Sequence, residues 1–188
     1  MPLRGTALRA VVIRIGYATN TVNSLMLNIQ IRPLEPGDAE FYAAIQNDPD
    51  VRKHIGPALN LNAEECRKAI ETGTGALSSL YIIGDIEEGH PIGICGFTPN
   101  NNFEGTDVLV QILSNHQNSG IGTHVLSELM EMWFGKERND VLFASVSPRN
   151  RPAIALLRNA GFCFDEEYED IHGAIHHKYS IQRDGTST

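Results

Sequence analysis

The sequence predicts one α/β domain, of α+β type, on a mixed central sheet, with the element order β-α-α-β-β-β-α-β-α-β-β. Three observations carry that expectation. The apolar pattern switches repeatedly between the two-residue period of strands and the 3.6-residue period of helices. Two apolar runs, TDVLVQIL at 106–113 and VLFASVS at 141–147, each lead into an amphipathic helical segment. A chain of 188 residues with 41% hydrophobic and 20% charged side chains can also bury a single core without staples.

The elements follow in order. Ile29 and Ile31 alternate with polar neighbours in a strand that Pro33 ends. Pro36-Gly37-Asp38 starts a helix with Phe41, Ala44 and Ile45 on one face. Asn62 followed by Glu65 matches a capping box, and Cys66, Ala69 and Ile70 continue at helical spacing. LYIIGDI and PIGICGF flank the turn-like EEGH as a hairpin. After the Asn- and Gly-rich loop TPNNNFEG, the run at 106–113 reads as a largely buried strand. Ile121, Val125, Leu129 and Trp133 share one face of the next helix, which Gly135 stops. Beyond the strand at 141–147, Asn150 caps a helix with Pro152 in its first turn, Ile154 and Leu157 inward, and Gly161 at its end. FCFDEEYEDI and AIHHKYSIQR form a closing hairpin. No repeat or linker divides residues 28–184, which are expected to form the domain behind an N-terminal extension over 1–27.

That extension is distinct in charge. Residues 1–34 hold Arg4, Arg9, Arg14 and Arg32 and no acid, whereas the remainder has 11 basic and 23 acidic residues, a net −12. AVVIRI within it suggests a short strand, and the composition is also that of a transit segment; an over-long start is the preferred reading, because globular patterning begins near Met26. The acidic body disfavours nucleic acid and anionic membranes as partners, and no apolar run is long enough to span a bilayer. Cys66, Cys95 and Cys163 are odd in number and far apart, which predicts reduced thiols and a cytoplasmic setting rather than disulfides or zinc.

The stretch HQNSGIGTHVLSELMEMW carries the first functional signal. A helix N-terminus offers unpaired N–H groups and a partial positive charge, and glycines let those amides approach an anion. Gln117-Asn118-Ser119-Gly120-Ile121-Gly122-Thr123 directly follows a strand, as a phosphate cradle requires. It lacks the Lys-Ser/Thr ending of a P-loop and the third glycine of a dinucleotide fingerprint.

With that loop, the element order and NRPAIALLRNAGF, the chain resembles the GNAT superfamily of acyl-CoA-dependent N-acetyltransferases, and within it the branch of ribosomal-protein alanine N-acetyltransferases. IQIRPLEPGD at 29–38 and NDPDVRKHIG at 47–56 match that branch's opening segments. The resemblance implies a GNAT-like sheet with two parallel strands splayed at the cofactor site, and acetyl-CoA as cosubstrate. Main-chain groups of Val110, Gln111 and Ile112 would pair with the pantetheine arm, and amides from Gln117 to Thr123 would hold the pyrophosphate. Asn150 would contact the cofactor or a water near the thioester.

The implied reaction is direct attack of a primary amine on the thioester carbonyl, which needs juxtaposition, a proton acceptor, a carbonyl-polarising donor and an acid for the thiolate. Asp107 falls where the family often carries Glu, so the resemblance makes it the base, acting through one water; the plain alternative is a solvated strand-end carboxylate. The chain departs from its relatives at the acid. Leu157 stands where many members have Tyr, and Ala153 where the branch often has Ser; neither donates a proton. Tyr168 and Tyr179 are substitutes by residue type, with a structural strand role as the alternative.

His176 and His177 are adjacent on a strand and face opposite ways, so no metal site is expected. His116 and His124 flank the loop and read as surface histidines. The acceptor, a peptide N-terminus or small-molecule amine, would enter between residues 47–62 and 165–177. There Asp165, Glu166, Glu167, Glu169 and Asp170 form an acidic wall suited to a cation, or simply a solvated face. A homodimer is the family's common assembly. Two other readings compete: a non-catalytic acyl-CoA-binding domain, and a nucleotide-binding protein using the same helix mouth.

Overall fold

The computed structural model describes residues 29–56, 58–73, 75–86, 89–135 and 140–183, so the suggested N-terminal strand lies outside the described residues. Its frame is a seven-stranded sheet in the spatial order β1-β2-β3-β4-β5-β7-β6. The strands are β1 (Ile29–Pro33), β2 (Leu80–Asp85), β3 (Pro91–Pro99), β4 (Thr106–Ile112), β5 (Val141–Val146), β6 (Cys163–Glu169) and β7 (Ile175–Gln182). The helices are α1 (Ala39–Asn47), α2 (Pro49–Arg52), α3 (Ala63–Thr72), α4 (Ile121–Phe134) and α5 (Arg151–Asn159). The expected order holds, with the single turn of α2 added. Asp48 explains it: its carboxylate accepts from Asp50 N at 2.8 Å, with Pro49 in the first turn.

Neighbouring strands are antiparallel except β4 and β5, which run parallel through the α4 crossover. Those two share one register pair, Asp107 opposite Phe143, and then part. β4 continues along β3 to Ile112, while β5 is held by β7 through Val146. The sheet therefore opens at its middle, toward the C-terminal ends of its two parallel strands.

Alternation along the strands assigns the two faces. Ile83, Cys95, Leu142 and Tyr179 pack against Ile121, Val125, Leu126 and Leu129 of α4 and Leu157 of α5. On the other face Ile82 and Ile94 pack against Ile45 of α1, and α3 adds Cys66 against Ala39 and Ala43. The predicted stripe of α4 is borne out: Ile121, Val125 and Leu129 are buried, each such side chain contributing about 1.5–3 kcal/mol. Trp133 finishes the stripe half-buried, its ring 5.0 Å from Phe97 and its indole N–H donating to the Val141 carbonyl at 2.9 Å.

Two expectations fail in detail. Ala44 is exposed and Ala43 and Gln46 are buried instead, because α1 lies between α3 and the sheet and turns Ala44 outward. β4 is only half-buried before Gln111, because that part of the strand borders the opening and not the packed core.

Candidate active site

Two abutting cavities occupy the opening between β4 and β5. The outer groove, about 420 Å³, runs past the α4 mouth. The inner pocket, about 300 Å³, lies between Val108–Val110 of β4 and Ala144–Val146 of β5. His54, Ile55, Val110, Asn150, Ala153 and Leu156 border both, so a ligand lying in the groove can reach into the pocket.

The loop before α4 is shaped for an anion. Its turn is pinned by Gln117 Nε2 donating to the Ile112 carbonyl at 2.8 Å and Ser119 Oγ donating to the His116 carbonyl at 2.7 Å. Asn118 (φ +59°) and Gly120 (φ +84°) are left-handed, which turns the chain sharply into the helix. Among the described residues no side chain caps α4, and regular bonding resumes with His124 N donating to the Gly120 carbonyl. The Gln117 amide is engaged within the loop, donating to the Ser114 carbonyl at 3.4 Å, so the donors left at the helix mouth are the amides from Asn118 to Thr123. A Cβ at Gly122 would meet Leu156 Cδ2 at 3.5 Å and Ile112 Cδ1 at 3.8 Å, ordinary contacts with two groove residues. Glycine there is thus not required by the fold; a side chain would fill the cradle.

Of the sequence-predicted cofactor residues, Val110, Gln111, Ile112, Gln117, Asn118, Gly120, Gly122, Thr123 and Asn150 line the groove. Ser119 and Ile121 do not. Ser119 is engaged within the loop, and the Ile121 side chain turns into the core, leaving only its main chain at the mouth. Gln111 is likewise available through its backbone alone. Its buried side chain accepts from Gln46 Nε2 at 3.1 Å, and Gln46 accepts from Arg52 Nη1 at 2.8 Å. Asn150 caps α5 through Oδ1, which accepts from Ala153 N at 3.2 Å.

The inner pocket holds the titratable groups His54, Asp107 and His176. Asp107 is no solvated strand-end carboxylate. Its Oδ2 accepts from Asn100 Nδ2 at 2.7 Å, while Oδ1 is buried and without a hydrogen bond among the described residues. Burial pushes its carboxyl above the usual range, against the opposing pull of Ser145, Asn100 and the nearby His176 and Lys178. Ser145 Oγ accepts from Tyr168 at 2.9 Å and from Asn100 at 3.0 Å, so Tyr168 is tied into the same network. Tyr179 is fully buried in the core and lies away from both cavities. Leu157 and Ala153 reach the pocket with no proton to give.

Two pocket residues, His54 and His176, carry no catalytic role in the sequence pattern, where His176 stands out only beside His177. His176 Nε2 lies 3.1 Å from Asp170 Oδ2, and its ring stacks on Tyr168 at 5.5 Å. The signal available was an acid and a histidine bracketing the tight turn at Gly173. His177 points to the opposite face, toward Glu167 at 3.2 Å, and among the described residues no group of three or more His, Cys, Asp and Glu could hold a metal. His116 lines the groove, whereas His124 lies outside it. The acidic wall is largely engaged within its own hairpin: Glu166 pairs with Lys178 at 3.2 Å, and Asp165 accepts from Ser180 at 2.8 Å. Among the described residues no helix is long and apolar enough to cross a membrane.

Comparison with known proteins agrees with this geometry. No curated protein sequence matches the chain. Among solved structures, ribosomal-protein-alanine N-acetyltransferase from Brucella melitensis is 22% identical with a TM-score of 0.66, spanning 81% of this chain and 99% of that one. Spermidine N-acetyltransferase from Vibrio cholerae, in complex with CoA and spermine, is 15% identical with a TM-score of 0.70, spanning 82% and 95%. A Salmonella typhimurium protein solved with its cofactor acetyl-CoA is 18% identical with a TM-score of 0.67, spanning 86% and 97%. These likenesses establish the fold. The family described as the acetyltransferase (GNAT) domain matches residues 28–163, most of the chain. The chain belongs to the GNAT acetyltransferase family.

Proposed function

We propose that the protein transfers an acetyl group from acetyl-CoA to a primary amine, a peptide N-terminus or a small-molecule amine, by direct attack in a ternary complex. The observation that carries this is the continuity of the two cavities: an amide-lined groove leads into a pocket bearing a buried carboxylate. Acetyl-CoA supplies an activated acyl group on a thiolate leaving group. In this reading the amides from Asn118 to Thr123 hold its diphosphate and the main chain of Val110–Ile112 aligns its arm, so a chain with acidic excess binds an anion through local dipoles. Asn150 offers Nδ2 near the thioester. Asp107 accepts a proton released during attack, through one water, and Asn100 holds it in place. Leu157 and Ala153 favour the second reading, an acyl-CoA binder without turnover, since the positions expected to protonate the thiolate cannot.

Calorimetric titration of the whole chain with acetyl-CoA, free CoA, NAD and ATP tests the reading. Acetyl-CoA and CoA should bind in the micromolar range, and Gly122→Val should abolish binding while melting like the parent. Binding of NAD or ATP in place of acetyl-CoA would sink it. Binding that persists in Asp107→Ala while turnover disappears separates an enzyme from a sensor.

A further inference from the structure

The acetyltransferase reading leaves one proton unaccounted for, and the closing hairpin holds a group suited to take it. Resting on that reading, we propose that His176, oriented by Asp170, strips the proton from the ammonium form of the acceptor before attack.

The geometry assigns the tautomer. Asp170 Oδ1 accepts main-chain N–H bonds from His172 at 2.8 Å and Ala174 at 2.9 Å, and its Oδ2 lies 3.1 Å from His176 Nε2. The Ala174 N–H first, then those of His172 and His176, hold the Asp170 carboxyl below the usual range despite some desolvation. Asp170 is therefore ionised at neutral pH, and an ionised carboxylate only accepts. The hydrogen must lie on Nε2, which leaves the Nδ1 lone pair free to take a proton. The ring plane is fixed as well. Tyr168 stacks on it with 23° between planes, and the Tyr168 hydroxyl is anchored on Ser145. The turn that brings acid and imidazole together closes through Gly173 (φ +80°), whose N–H donates to the Asp170 carbonyl at 3.0 Å.

The pocket that His176 lines also contains Asp107, an anion that draws a cationic amine inward. An aliphatic amine with a pKa of about 10 is nucleophilic in only about one molecule per thousand at neutral pH, so a base that removes its proton has leverage. The balance closes. R–NH₃⁺ gives one proton to Nδ1, the freed lone pair forms the C–N bond as the C–S bond breaks, and the nitrogen loses a second proton as the amide forms. The thiolate takes up one proton, and the other passes from His176 to solvent. The charged and titratable groups facing His176 are Asp170 in the turn, Tyr168 on β6, Asp107 on β4, Lys178 two residues along β7 and His54 across the pocket. Asp170 is a positioning residue.

Two measurements test this. In a thiol-release assay with acetyl-CoA and either spermidine or an alanine-terminated peptide, His176→Gln should lower kcat/KM at pH 7 by about 100-fold. Its acetyl-CoA affinity should not change. The deficit should shrink toward about pH 10, where the amine sheds its own proton. Asp170→Asn should show the same pH shape with a smaller deficit, and added imidazole should restore part of the rate to His176→Ala. A deficit that is flat with pH, or no deficit, overturns the proposal while leaving the acetyltransferase reading intact. A wild type that neither binds acetyl-CoA nor releases thiol overturns that reading itself. Independently of turnover, ¹⁵N-histidine spectra of the ligand-free protein should show His176 as the Nε2–H tautomer, with that preference lost in Asp170→Ala. A tautomer mixture in the wild type also overturns the proposal.

Discussion

Tyr179→Phe should make this protein more stable. Tyr179 has 0% exposure, packs in the main core, and stacks edge-on against Phe164 at 5.6 Å. Its hydroxyl is buried and without a hydrogen bond among the described residues. An unsatisfied buried hydroxyl costs about 1–3 kcal/mol. Phenylalanine keeps the ring and its contacts, and the void left by one oxygen, about 10 Å³, costs only about 0.2 kcal/mol. The net gain is about 1 kcal/mol or more, a rise in Tm of about 2–4 °C for a chain of this length. Thermal melts followed by circular dichroism, with urea unfolding as a second estimate, measure it. A fall in Tm of the same size would refute the reasoning, because it would mean that the hydroxyl is bonded in the native state. The same variant bears on catalysis. Tyr179 lies outside both cavities, so turnover should not change, and a loss of about 100-fold would restore it as the general acid.

Two further outcomes follow from burial and close packing. Burial holds the Asp107 carboxyl above its ordinary 3.8, so the folded state binds that proton more tightly than the unfolded chain does. The associated stability is present below pH 3.8 and lost as pH rises through the folded value. Asp107→Asn should accordingly melt above the wild type at pH 7, with the gap closing as the pH falls toward 3, even as kcat drops about 100-fold. A gap that widens on acidification would contradict this. At Gly96 (φ +144°) an added Cβ would collide with the Ser79 carbonyl oxygen and lie 2.9 Å from Leu80 Cα, both backbone atoms. Gly96→Ala should destabilise by about 3 kcal/mol or more through a forced separation of β2 and β3, read as a large loss of Tm or of soluble protein. A near-native melt would show that the strands can move apart freely.

Most elements were legible because their burial obeys a period. Ile121, Val125 and Leu129 repeat at four, and LYIIGDI and PIGICGF each fall between turn residues, so helix and hairpin follow from spacing alone. α2 was not legible because one turn is too short to show a period, and only the Asp48 cap and Pro49 mark it. The half-exposure of β4 was hidden because Val108, Leu109 and Val110 have the same composition whether they face a core or a cavity. The turn of the glycine loop could be read because consecutive residues set its backbone. The His176 and Asp170 pair could not, because its meaning depends on which face of β7 meets Tyr168, and a register shift in β6 between Phe164 and Glu166 sets that pairing. The ion pairs that tie the acidic wall to β7 depend on register in the same way.

The single Asp107–Phe143 pair makes this sheet, in mechanical terms, two blades joined by one rivet. One blade, β1 to β4, carries the strand that borders the groove; the other, β5 to β7, carries the hairpin with His176. The family match ends at Cys163, the first residue of β6. Changes in that hairpin can therefore reshape one wall of the inner pocket without disturbing the helix mouth on the other side of the rivet. A scaffold divided in this way can exchange one acceptor for another while keeping its acyl donor.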